Sequence, residues 1–449
     1  MKRRASILLL IACVLCFSCT KKEQKPNILV IIADDAGWND VGYHGSKIET
    51  PNIDFLAQHG VQLNRFYVAP TCSPSRAAFL TGMPASRIGI IAPISGESEK
   101  TLPDTVITLP QAMQKAGYET ALMGKWHLGL NPESGPGAYG FDYSYGFLHG
   151  QIDQYAHTYK NGDRSWHRNG KFIDEQGHAT DLITSEAISW LKEKRDPSQP
   201  FFLQVAYSAP HIPLQEPARW KQRYEGIISD SSRRAYAAAM THMDFTIGQI
   251  LETLKEQKLE ESTLVLFMSD NGAQNGWFPE WQYEGKYGPN PTLGSNYPLK
   301  GWKTSNYEGG IRVPAVVYWK NHLDSDTLKT PISITDWMPT FLAMAGVRQK
   351  PEDVEGKDIR ELLYRKGKVH NRVIYVRGHL QESVVTKKWK LIRTRHPEKE
   401  TEYELYHIAK DPEEEQNVIA DYPQVASKLK QKLKQEFQKD AEQVNYTLK

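Results

Sequence analysis

The sequence predicts an α/β protein in which a large mixed, mostly parallel sheet is flanked by helices, followed by a smaller C-terminal subdomain with an antiparallel sheet and one helix. Two observations lead to this prediction. Apolar, β-branched runs such as residues 27–33 and 201–206 do not alternate with polar residues, which is typical of strands buried on both faces. After Gly346, short alternating strands follow one another without intervening helices, which indicates an antiparallel sheet.

The spacing of apolar residues, and the points where it is interrupted, predict the positions of the individual helices and strands. Helices are predicted where apolar residues recur at three- and four-residue spacing before a glycine or polar break, and strands where apolar runs end in polar loops. The predicted helices cover residues 51–59, 109–116, 180–194, 235–255 and 422–439. The predicted strands cover residues 27–33, 61–67, 120–123, 201–206, 264–269, 315–319, 372–376, 383–394 and 403–408.

Length and charge narrow the class of protein. The 449 residues exceed one ordinary core, so we expect a large α/β domain over residues 27–360 and a C-terminal α+β subdomain over residues 361–449. The formal charge of 55 − 53 = +2 becomes 52 − 53 = −1 once the three cations of residues 2–4 are removed with a leader. Near neutrality argues against a nucleic-acid-binding protein, so affinity for anions has to come from a local pocket.

The N-terminus is predicted to be a targeting segment. Residues 2–4 are basic, residues 7–17 are apolar but too few to span a bilayer, and Cys19 follows a small residue. This order resembles a bacterial lipoprotein leader. We therefore interpret residues 1–18 as a signal peptide, Cys19 as a lipid-anchored residue and residues 19–26 as a tether, with plain secretion as the alternative. The expected location is the periplasm or cell surface of a bacterium.

Cysteine usage singles out one thiol. Of the four cysteines, Cys13 and Cys16 leave with the leader and Cys19 is acylated, so the mature chain keeps only Cys72. An exported chain without a disulfide pair keeps such a thiol for chemistry or for packing. Pro74 suits the first turn of a helix, so the positive end of that helix should face Cys72, where an anion is stabilised.

Oxygen donors follow two of the predicted strands. Asp34 and Asp35 come directly after residues 27–33, and Asp270 and Asn271 follow residues 264–269. Open α/β sheets bind ligands at these carboxyl ends. Adjacent carboxylates repel each other unless a cation lies between them, and a set made only of oxygen donors suits a hard cation. Turn or capping roles are the alternative.

Other polar residues lie in loops at strand ends. Lys125 and His127 are flanked by glycines, and His211 lies between two prolines; Lys303 is one of two lysines in a later loop. A surface lysine or a core histidine is the common alternative for each residue taken alone. The aromatic loop of residues 277–290 is interpreted either as self-packing or as a platform for sugar rings.

The string CSPSR at residues 72–76, followed by LTG at residues 80–82, resembles the motif C-x-P-S-R-x-x-x-L-T-G of the sulfatase family. The resemblance extends from residue 27 to a pattern at residues 405–417. Within the family it is to the arylsulfatase B, or N-acetylgalactosamine-4-sulfatase, type. Ala36 and a longer aromatic loop depart from that type. The segments that carry this similarity are GWNDVGYHGS (37–46), GKWHLG (124–129), NYPLKGWK (296–303) and ITDWMPT (334–340).

The resemblance implies an alkaline-phosphatase-like fold and a nucleophile made after translation. A formylglycine-generating or sulfatase-maturating enzyme would convert Cys72 to formylglycine (3-oxoalanine), whose hydrate would attack the sulfur. It further implies one Ca²⁺ bound by residue 72 together with Asp34, Asp35, Asp270 and Asn271.

The resemblance also implies roles for the remaining polar residues. His211, with Lys303, would protonate the leaving oxygen, and His127 would take a proton from the second hydroxyl of the hydrate. Arg76, Lys125 and Lys303 would neutralise charge on the sulfate. Lys125, His211 and Lys303 are the residues expected to contact the substrate.

The function implied is release of inorganic sulfate from a sulfated glycan, by exo action on 4-O-sulfated N-acetylgalactosamine of the chondroitin or dermatan type. One alternative is a sulfatase for another sugar, such as galactose or glucosamine sulfate. A second is a phosphoester or phosphonate hydrolase of the same superfamily. The non-enzymatic alternative is a glycan-binding surface lipoprotein.

Overall fold

The computed structural model describes residues 25–96, 98–279, 281–367 and 372–442. The predicted signal peptide, Cys19 and most of the predicted tether lie outside the described residues. Within the described ranges, no helix combines the length and apolar character that crossing a bilayer requires.

The strands and helices alternate over the first three quarters of the chain. The strands are β1 (Asn27–Ala33), β2 (Val61–Leu63), β3 (Phe66–Tyr67), β4 (Glu119–Lys125), β5 (Tyr143–Phe147), β6 (Trp166–Arg168), β7 (Lys171–Phe172), β8 (Phe201–Ala206), β9 (Thr263–Ser269), β10 (Ala315–Tyr318), β11 (Asp326–Leu328), β12 (Ile332–Ser333), β13 (Ile374–Arg377), β14 (Gln381–Val385), β15 (Lys390–Thr394) and β16 (Glu402–Tyr406). The α-helices are α1 (Pro51–His59), α2 (Cys72–Thr81), α3 (Leu109–Lys115), α4 (Ala179–Ser189), α5 (Ala218–Gln222), α6 (Ser231–Glu256), α7 (Glu308–Ile311), α8 (Trp337–Met344), α9 (Arg360–Leu363) and α10 (Pro423–Phe437). Short 3₁₀ helices lie at Trp38–Asp40, Gly42–His44, Ala85–Ile88, Pro132–Ser134, Pro136–Tyr139, Gln282–Gly285 and Ile334–Asp336, and a π-helical turn at Trp190–Lys194 extends α4.

The central sheet has the strand order β11-β2-β10-β9-β1-β8-β4-β5-β6-β7. Its middle strands β9, β1, β8, β4 and β5 are parallel, and antiparallel strands are added on both sides. The carboxyl ends of the parallel strands therefore meet along one edge of the sheet. The predicted fold class, a large mixed and mostly parallel sheet flanked by helices, is confirmed.

The middle strands are apolar because both faces of the sheet are covered. In β1, Ile28, Val30 and Ile32 face one core, whereas Leu29 and Ile31 face the other. Alternate side chains of an unalternating sequence thus enter two different hydrophobic clusters. Because both faces of the sheet are packed, the loops at the carboxyl ends of its strands are held in fixed positions relative to one another.

Two predicted strands differ from the structure, and several strands were not predicted. The predicted strand 61–67 is broken into β2 and β3, because β2 pairs with β10 and β11 whereas β3 pairs with β12 in a separate sheet. Arg65, between them, binds the carbonyls of Thr386 and Lys387 at 3.1 and 2.8 Å. The predicted strand 383–394 is the hairpin of β14 and β15. The strands β5, β6, β7, β11 and β12 were not predicted; β5 carries Gly146, which has φ +130° and approaches the backbone of β4 too closely for a Cβ.

The C-terminal unit is the predicted antiparallel sheet, with the strand order β13-β14-β15-β16 and α10 packed on β14 and β15. A buried charge cluster connects it to α7. Lys390 of β15 lies 2.9 Å from carboxylate oxygens of both Glu308 and Glu414, and none of these side chains is exposed. Because removing one partner would leave an uncompensated buried charge, this cluster holds the C-terminal sheet against α7. The sheet thereby supports the loop that precedes α7. The predicted boundary between residues 360 and 361 falls within α9.

Candidate active site

The metal-binding prediction rests on two neighbouring strands that end side by side. Ala33 of β1 pairs with Ser269 of β9, and the Asp270 N–H donates to the Ala33 carbonyl at 3.1 Å. The Asp35 N–H donates to Asp270 Oδ1 at 3.3 Å. The carboxylates that follow β1 and β9 are therefore brought together, as the sequence predicted.

Asp35 adopts a left-handed backbone conformation with φ +70°. Such a conformation is strained for a residue with a side chain and persists only where the surroundings enforce it. Here the hydroxyl of Tyr236, on α6, donates to the Asp35 carbonyl at 2.8 Å. The same hydroxyl contacts Asp40 Oδ2 at 2.8 Å, so α6 holds the loop after β1 in its strained form.

Each of the three carboxylates is paired with a buried cation. The ammonium of Lys125 lies 2.6 Å from Asp34, and that of Lys303 lies 2.7 Å from Asp35. The Arg76 guanidinium lies 2.7 Å from Asp270. Summed formally, three carboxylates and three cations give −3 + 3 = 0. A bound divalent cation would make the centre doubly positive and thus attractive to a monoanionic ester.

Burial and ion pairing shift the pKa values of these carboxylates in opposite directions. Burial is the largest influence on Asp34 and, although Lys125 opposes it, raises the pKa of Asp34 to about 7. Burial also opposes ionisation of Asp35, but Lys303 and His211 outweigh it and lower the pKa of Asp35 to about 2. Lys125 itself differs from the loop residue that was predicted, because β4 extends to include it and its side chain is completely buried.

Two oxygens at the centre are left free for a ligand. Within the described part of the chain, Asp34 Oδ1 and Asn271 Oδ1 are buried without a hydrogen-bond partner. The amide nitrogen of Asn271 donates to Asp35 Oδ1 at 2.7 Å, which turns its oxygen the other way. Buried orphaned oxygens cost free energy unless something binds them. The donor set fits a hard cation such as Ca²⁺, and donor atoms of Asp34, Asp35 and His211 lie within 4.8 Å of one another.

Cys72 is the first residue of α2 and is 2% exposed. Burial raises the pKa of its thiol, although Lys125 and Lys303 act in the opposite direction. A thiol with a raised pKa is a poor nucleophile, because the thiolate is the reactive form. The position of Cys72 beside the cations therefore suits an anionic ligand better than it suits direct attack by sulfur.

Arg76 lies one turn into α2 and has its donors engaged by the protein. Nε and Nη2 bind Asp270 Oδ2 at 3.0 and 2.7 Å, and Nη1 donates to the Lys125 carbonyl at 3.1 Å. In this arrangement Arg76 orients a carboxylate of the centre and fixes α2 to β4. The predicted contact of Arg76 with the sulfate itself stays a prediction.

His127 presents one free ring nitrogen. Its Nε2 lies 2.8 Å from the Ile94 carbonyl, which can only accept, so Nε2 carries the proton. Nδ1 is buried and has no partner within the described residues. Burial, followed by Lys125 and Arg76, holds the pKa of His127 well below its usual value. The ring is therefore neutral, with a lone pair available at Nδ1, as a proton acceptor requires.

The position of the His127 ring depends on Gly150. A Cβ at Gly150 would lie 2.5 Å from both Cε1 and Nε2 of His127, which is too close for any contact. We expect Gly150→Ala to displace the ring and lower kcat by about 10²-fold, since small misplacements of catalytic groups have effects of that size. The measurement is the steady-state rate of ester hydrolysis.

Gly137→Ala is the matched control, because nothing lies within 4 Å of a Cβ at Gly137. The control should keep the wild-type rate. Equal rates for the two variants would contradict the role given to the His127 ring position.

His211 and Lys303 both lie beside Asp35 Oδ2. His211 Nδ1 donates to the Ile212 carbonyl at 2.7 Å, and its Nε2 is 3.6 Å from Asp35 Oδ2. Burial, then Lys303, holds the pKa of His211 well below its usual value. Burial also opposes the charge of Lys303, but Asp35 outweighs it and raises the pKa of Lys303. In this state Lys303 holds the proton and His211 offers Nε2 as an acceptor.

A second buried cluster holds the loop that carries His211. Glu216, at the end of this loop, lies 2.6 Å from Nδ1 of His242 on α6, and Nε2 of His242 lies 2.9 Å from Asp181 on α4. His178 Nε2 is 3.5 Å from Glu216. Burial opposes a charged His242, but its two carboxylate partners raise its pKa from 6.5 to about 9. The His211 loop is thus fixed to two helices by a charged imidazolium.

This cluster predicts a pH dependence of stability. Because the pKa of His242 is higher in the folded state, its contribution is complete below about pH 6.5 and is lost as the pH rises through about 9. Thermal unfolding midpoints should therefore fall more steeply between these values for the wild type than for His242→Gln. Parallel curves for the two proteins would show that the imidazolium does not stabilise the fold.

Some residues that shape the site were not predicted as site residues. Asp40 accepts from Gly37 N–H at 2.9 Å and from Ser295 N–H at 3.0 Å, and so connects the loops after β1 and β9. Asp40 lies in segment 37–46, which carries the family resemblance, and that resemblance is the signal that could have found it. Tyr236 and Gly150 act through tertiary contacts; a lone Tyr or Gly is common in any chain, so only the structure identifies them.

The comparisons with known proteins agree with this geometry. A model of the family described as Sulfatase matches residues 26–347, and one described as N-sulphoglucosamine sulphohydrolase, C-terminal, matches residues 301–442. Arylsulfatase J of Mus musculus is 32% identical over 490 aligned residues, covering 95% of this chain and 78% of that protein. N-acetylgalactosamine-6-sulfatase of Homo sapiens is 33% identical, covering 79% of this chain and 69% of that protein. The solved structure of Ps i-CgsB in complex with k-i-k-neocarrahexaose has a TM-score of 0.83 and 30% identity, covering 94% of both chains.

Proposed function

Because the chain belongs to the sulfatase family and is a sulfuric ester hydrolase, we propose that it releases inorganic sulfate from a sulfated glycan at the centre built around Cys72. The sulfatase family predicted from the sequence is confirmed, whereas the relatives reported for this chain include N-acetylgalactosamine-6-sulfatases and do not support the predicted 4-sulfatase type. The observation that carries the proposal is the convergence of three carboxylate–cation pairs on the buried Cys72, with two oxygens free for a metal ion.

We propose that Asp34, Asp35, Asp270 and Asn271 hold Ca²⁺ and that Cys72 is converted to formylglycine by a maturation enzyme. When present, the metal ion supplies Lewis-acid polarisation of a sulfate oxygen, and the hydrated aldehyde supplies a hydroxyl nucleophile. Both proposals are supported by the donor chemistry of the site. An all-oxygen cradle suits a hard cation, and a thiol of raised pKa suits neither metal binding nor attack.

The chain's own residues then divide the proton transfers. Ser73 Oγ donates to the His127 carbonyl at 2.9 Å, which holds His127 beside the start of α2. We therefore propose His127 Nδ1 as the proton acceptor for residue 72. Lys303 holds a proton beside His211, so this pair is proposed to deliver it to the departing alcohol oxygen. Lys125 and Lys303 are proposed to orient the sulfate by charge.

The proposed substrate is an O-sulfated N-acetylgalactosamine residue at the end of a glycan chain. The sequence resemblance favours the 4-O ester, whereas N-acetylgalactosamine-6-sulfatases among the relatives favour the 6-O ester. The complex of Ps i-CgsB with an oligosaccharide supports a polymeric substrate for a protein of this fold. Membership of an enzyme family leaves the non-catalytic glycan-binding alternative without support.

The test is sulfate release from matched substrates. The mature protein is incubated with an aryl sulfate, an aryl phosphate, and the 4-O- and 6-O-sulfates of N-acetylgalactosamine, and free sulfate or phosphate is measured. We expect the sulfates to be turned over faster than the phosphate and one of the two sugar esters to be preferred. A faster reaction with the aryl phosphate would favour the phosphoester alternative, and equal failure of both sugar esters would favour another sulfated sugar.

Metal removal should abolish this activity. Stripping the protein with a chelator leaves the free oxygens of Asp34 and Asn271 without a ligand, so the rate should fall by at least about 10²-fold. Adding Ca²⁺ should restore it, whereas adding Mg²⁺ should restore less, because Mg²⁺ demands a tighter octahedral geometry. Full activity in the metal-free protein, verified by elemental analysis, would contradict the proposed metal site.

We also propose that the chain is exported and anchored through Cys19. The basic residues 2–4, the apolar stretch 7–17 and the small residue before Cys19 support this. Mass spectrometry of the N-terminal peptide from membranes should show a lipid on Cys19; an unmodified peptide in the secreted fraction would favour plain secretion.

A further inference from the structure

The segment between Asn271 and Lys303 is a long insertion at the carboxyl edge of the sheet, beside the candidate active site. Its two ends are fixed together beside the site, because the Ala273 N–H donates to Asn296 Oδ1 at 3.0 Å and the Lys303 N–H donates to the Ala273 carbonyl at 3.0 Å. The residues between, 274–295, contain the aromatic loop. The side chains of this loop are therefore held at the opening of the active site.

The far side of the insertion contacts the loop that carries His211 and a segment, residues 150–160, that packs against His127. The hydroxyl of Tyr287 binds Asp153 and accepts from Gln215 Nε2 at 2.8 Å. Gln215 follows His211 in the same loop. Because residues 150–160 begin against His127, the insertion spans from the Lys303 side of the opening to its histidine side and forms one wall.

The five aromatic residues of this wall fall into two groups. Trp277 and Tyr283 are 6% and 8% exposed, and the partly buried ring of Tyr287 lies 5.5 Å from that of Tyr283, as the self-packing interpretation requires. Phe278 and Trp281 are 67% and 65% exposed. Self-packing thus explains only the first group. Large exposed rings at the opening of a site indicate a surface that a ligand covers.

A cation lies beside the exposed indole. The ammonium of Lys160 is 5.6 Å from the ring centroid of Trp281 and 5.3 Å from that of Tyr159. The Tyr283 N–H donates to the Lys160 carbonyl at 3.0 Å, which ties the two segments together. Among the side chains that the structure describes, no carboxylate forms an ion pair with Lys160. A flat apolar face next to a cation without an acidic partner suits a sugar ring that carries an acidic group.

We propose that Trp281 and Lys160 form a subsite for the sugar residue next to the one that is desulfated, and that this residue is anionic. Trp281 stacks on the ring, Lys160 pairs with its sulfate or carboxylate, and Phe278 extends the apolar surface. The inference rests on the proposed function, because it assumes that the cleaved sulfate belongs to a glycan chain. The proposed subsite makes the enzyme selective for charged oligosaccharides over isolated sulfated sugars.

The test compares a sulfated chondroitin tetrasaccharide with an aryl sulfate that cannot reach the subsite. For Trp281→Ala and for Lys160→Ala, the ratio of kcat/KM for the tetrasaccharide to that for the aryl sulfate should fall about tenfold, mainly through KM; tenfold corresponds to about 1.4 kcal/mol. Lys160→Arg should keep most of the ratio. Lys160→Ala should also weaken the salt dependence of KM for the tetrasaccharide, because a charge pair is lost.

The matched control is Phe245→Ala, which removes a ring that is 50% exposed on α6. Its ratio should equal that of the wild type. An unchanged ratio in both subsite variants would overturn the subsite while leaving the proposed function intact. If the wild type releases sulfate from neither substrate, the proposed function fails; calorimetric binding of the tetrasaccharide then tests the subsite directly, and equal affinity of wild type and Trp281→Ala would overturn it.

Discussion

Replacing Cys72 by alanine is expected to abolish sulfate release, with a fall in kcat of about 10⁴-fold or more, as for the loss of other catalytic nucleophiles. Cys72 lies at the start of α2, where Lys125, Lys303 and the carboxylates act on it electrostatically, and burial raises the pKa of its thiol. The alanine keeps the Cβ and the helix. Initial rates on an aryl sulfate and peptide mapping of the active wild type, which should show the aldehyde, form the measurement.

The control for this variant is Ser95→Ala, at an exposed position. It should keep the wild-type rate, and both variants should unfold at temperatures close to that of the wild type. Undiminished turnover by Cys72→Ala, or full activity of a wild-type protein whose residue 72 is an unmodified thiol, would contradict the proposed nucleophile.

Replacing Asp35 by asparagine should lower kcat/KM by about 10³-fold, because metal coordination contributes several kcal/mol to such reactions. Asp35 Oδ1 accepts from the Asn271 amide, and Oδ2 lies 2.7 Å from the ammonium of Lys303. The NH₂ of the asparagine side chain would face either the Asn271 amide or the Lys303 ammonium, and both of these groups are themselves hydrogen-bond donors. The variant should therefore lose both a metal ligand and the group that keeps Lys303 in place.

Asp324→Asn removes a charge from an exposed aspartate and serves as the control. Metal content measured by elemental analysis should fall in Asp35→Asn and stay unchanged in Asp324→Asn. If Asp35→Asn kept both its metal and its rate, the carboxylate would be neither a ligand nor a support for Lys303.

The sequence predicted which polar residues meet because of one topological rule. Parallel strands place their carboxyl ends at a common edge, so the residues after β1, β4, β8 and β9 had to lie close together. Asp34, Asp35, Asp270 and Asn271 are accordingly adjacent, with Lys125 and His211 beside them. Apolar runs without alternation were sufficient to find these strands.

The details that the sequence did not predict depend on contacts between distant residues. The left-handed backbone of His127, with φ +61°, and the free Nδ1 of its ring follow from its bond to Ile94 and from the space that Gly150 leaves. The break between β2 and β3 follows from pairing with strands much later in the chain, β10 and β11 for one and β12 for the other. No local pattern encodes such contacts, so these features require coordinates.

The burial of Cys72 sets an order of events during biogenesis. Once α2 has docked against β4 through Arg76, only 2% of this residue is accessible, and an oxidising enzyme of protein size cannot enclose it. The proposed conversion would therefore have to take place before tertiary structure closes around residue 72. On this proposal, a polypeptide that folds first would keep an unmodified thiol, and the yield of converted protein would depend on the relative rates of oxidation and folding.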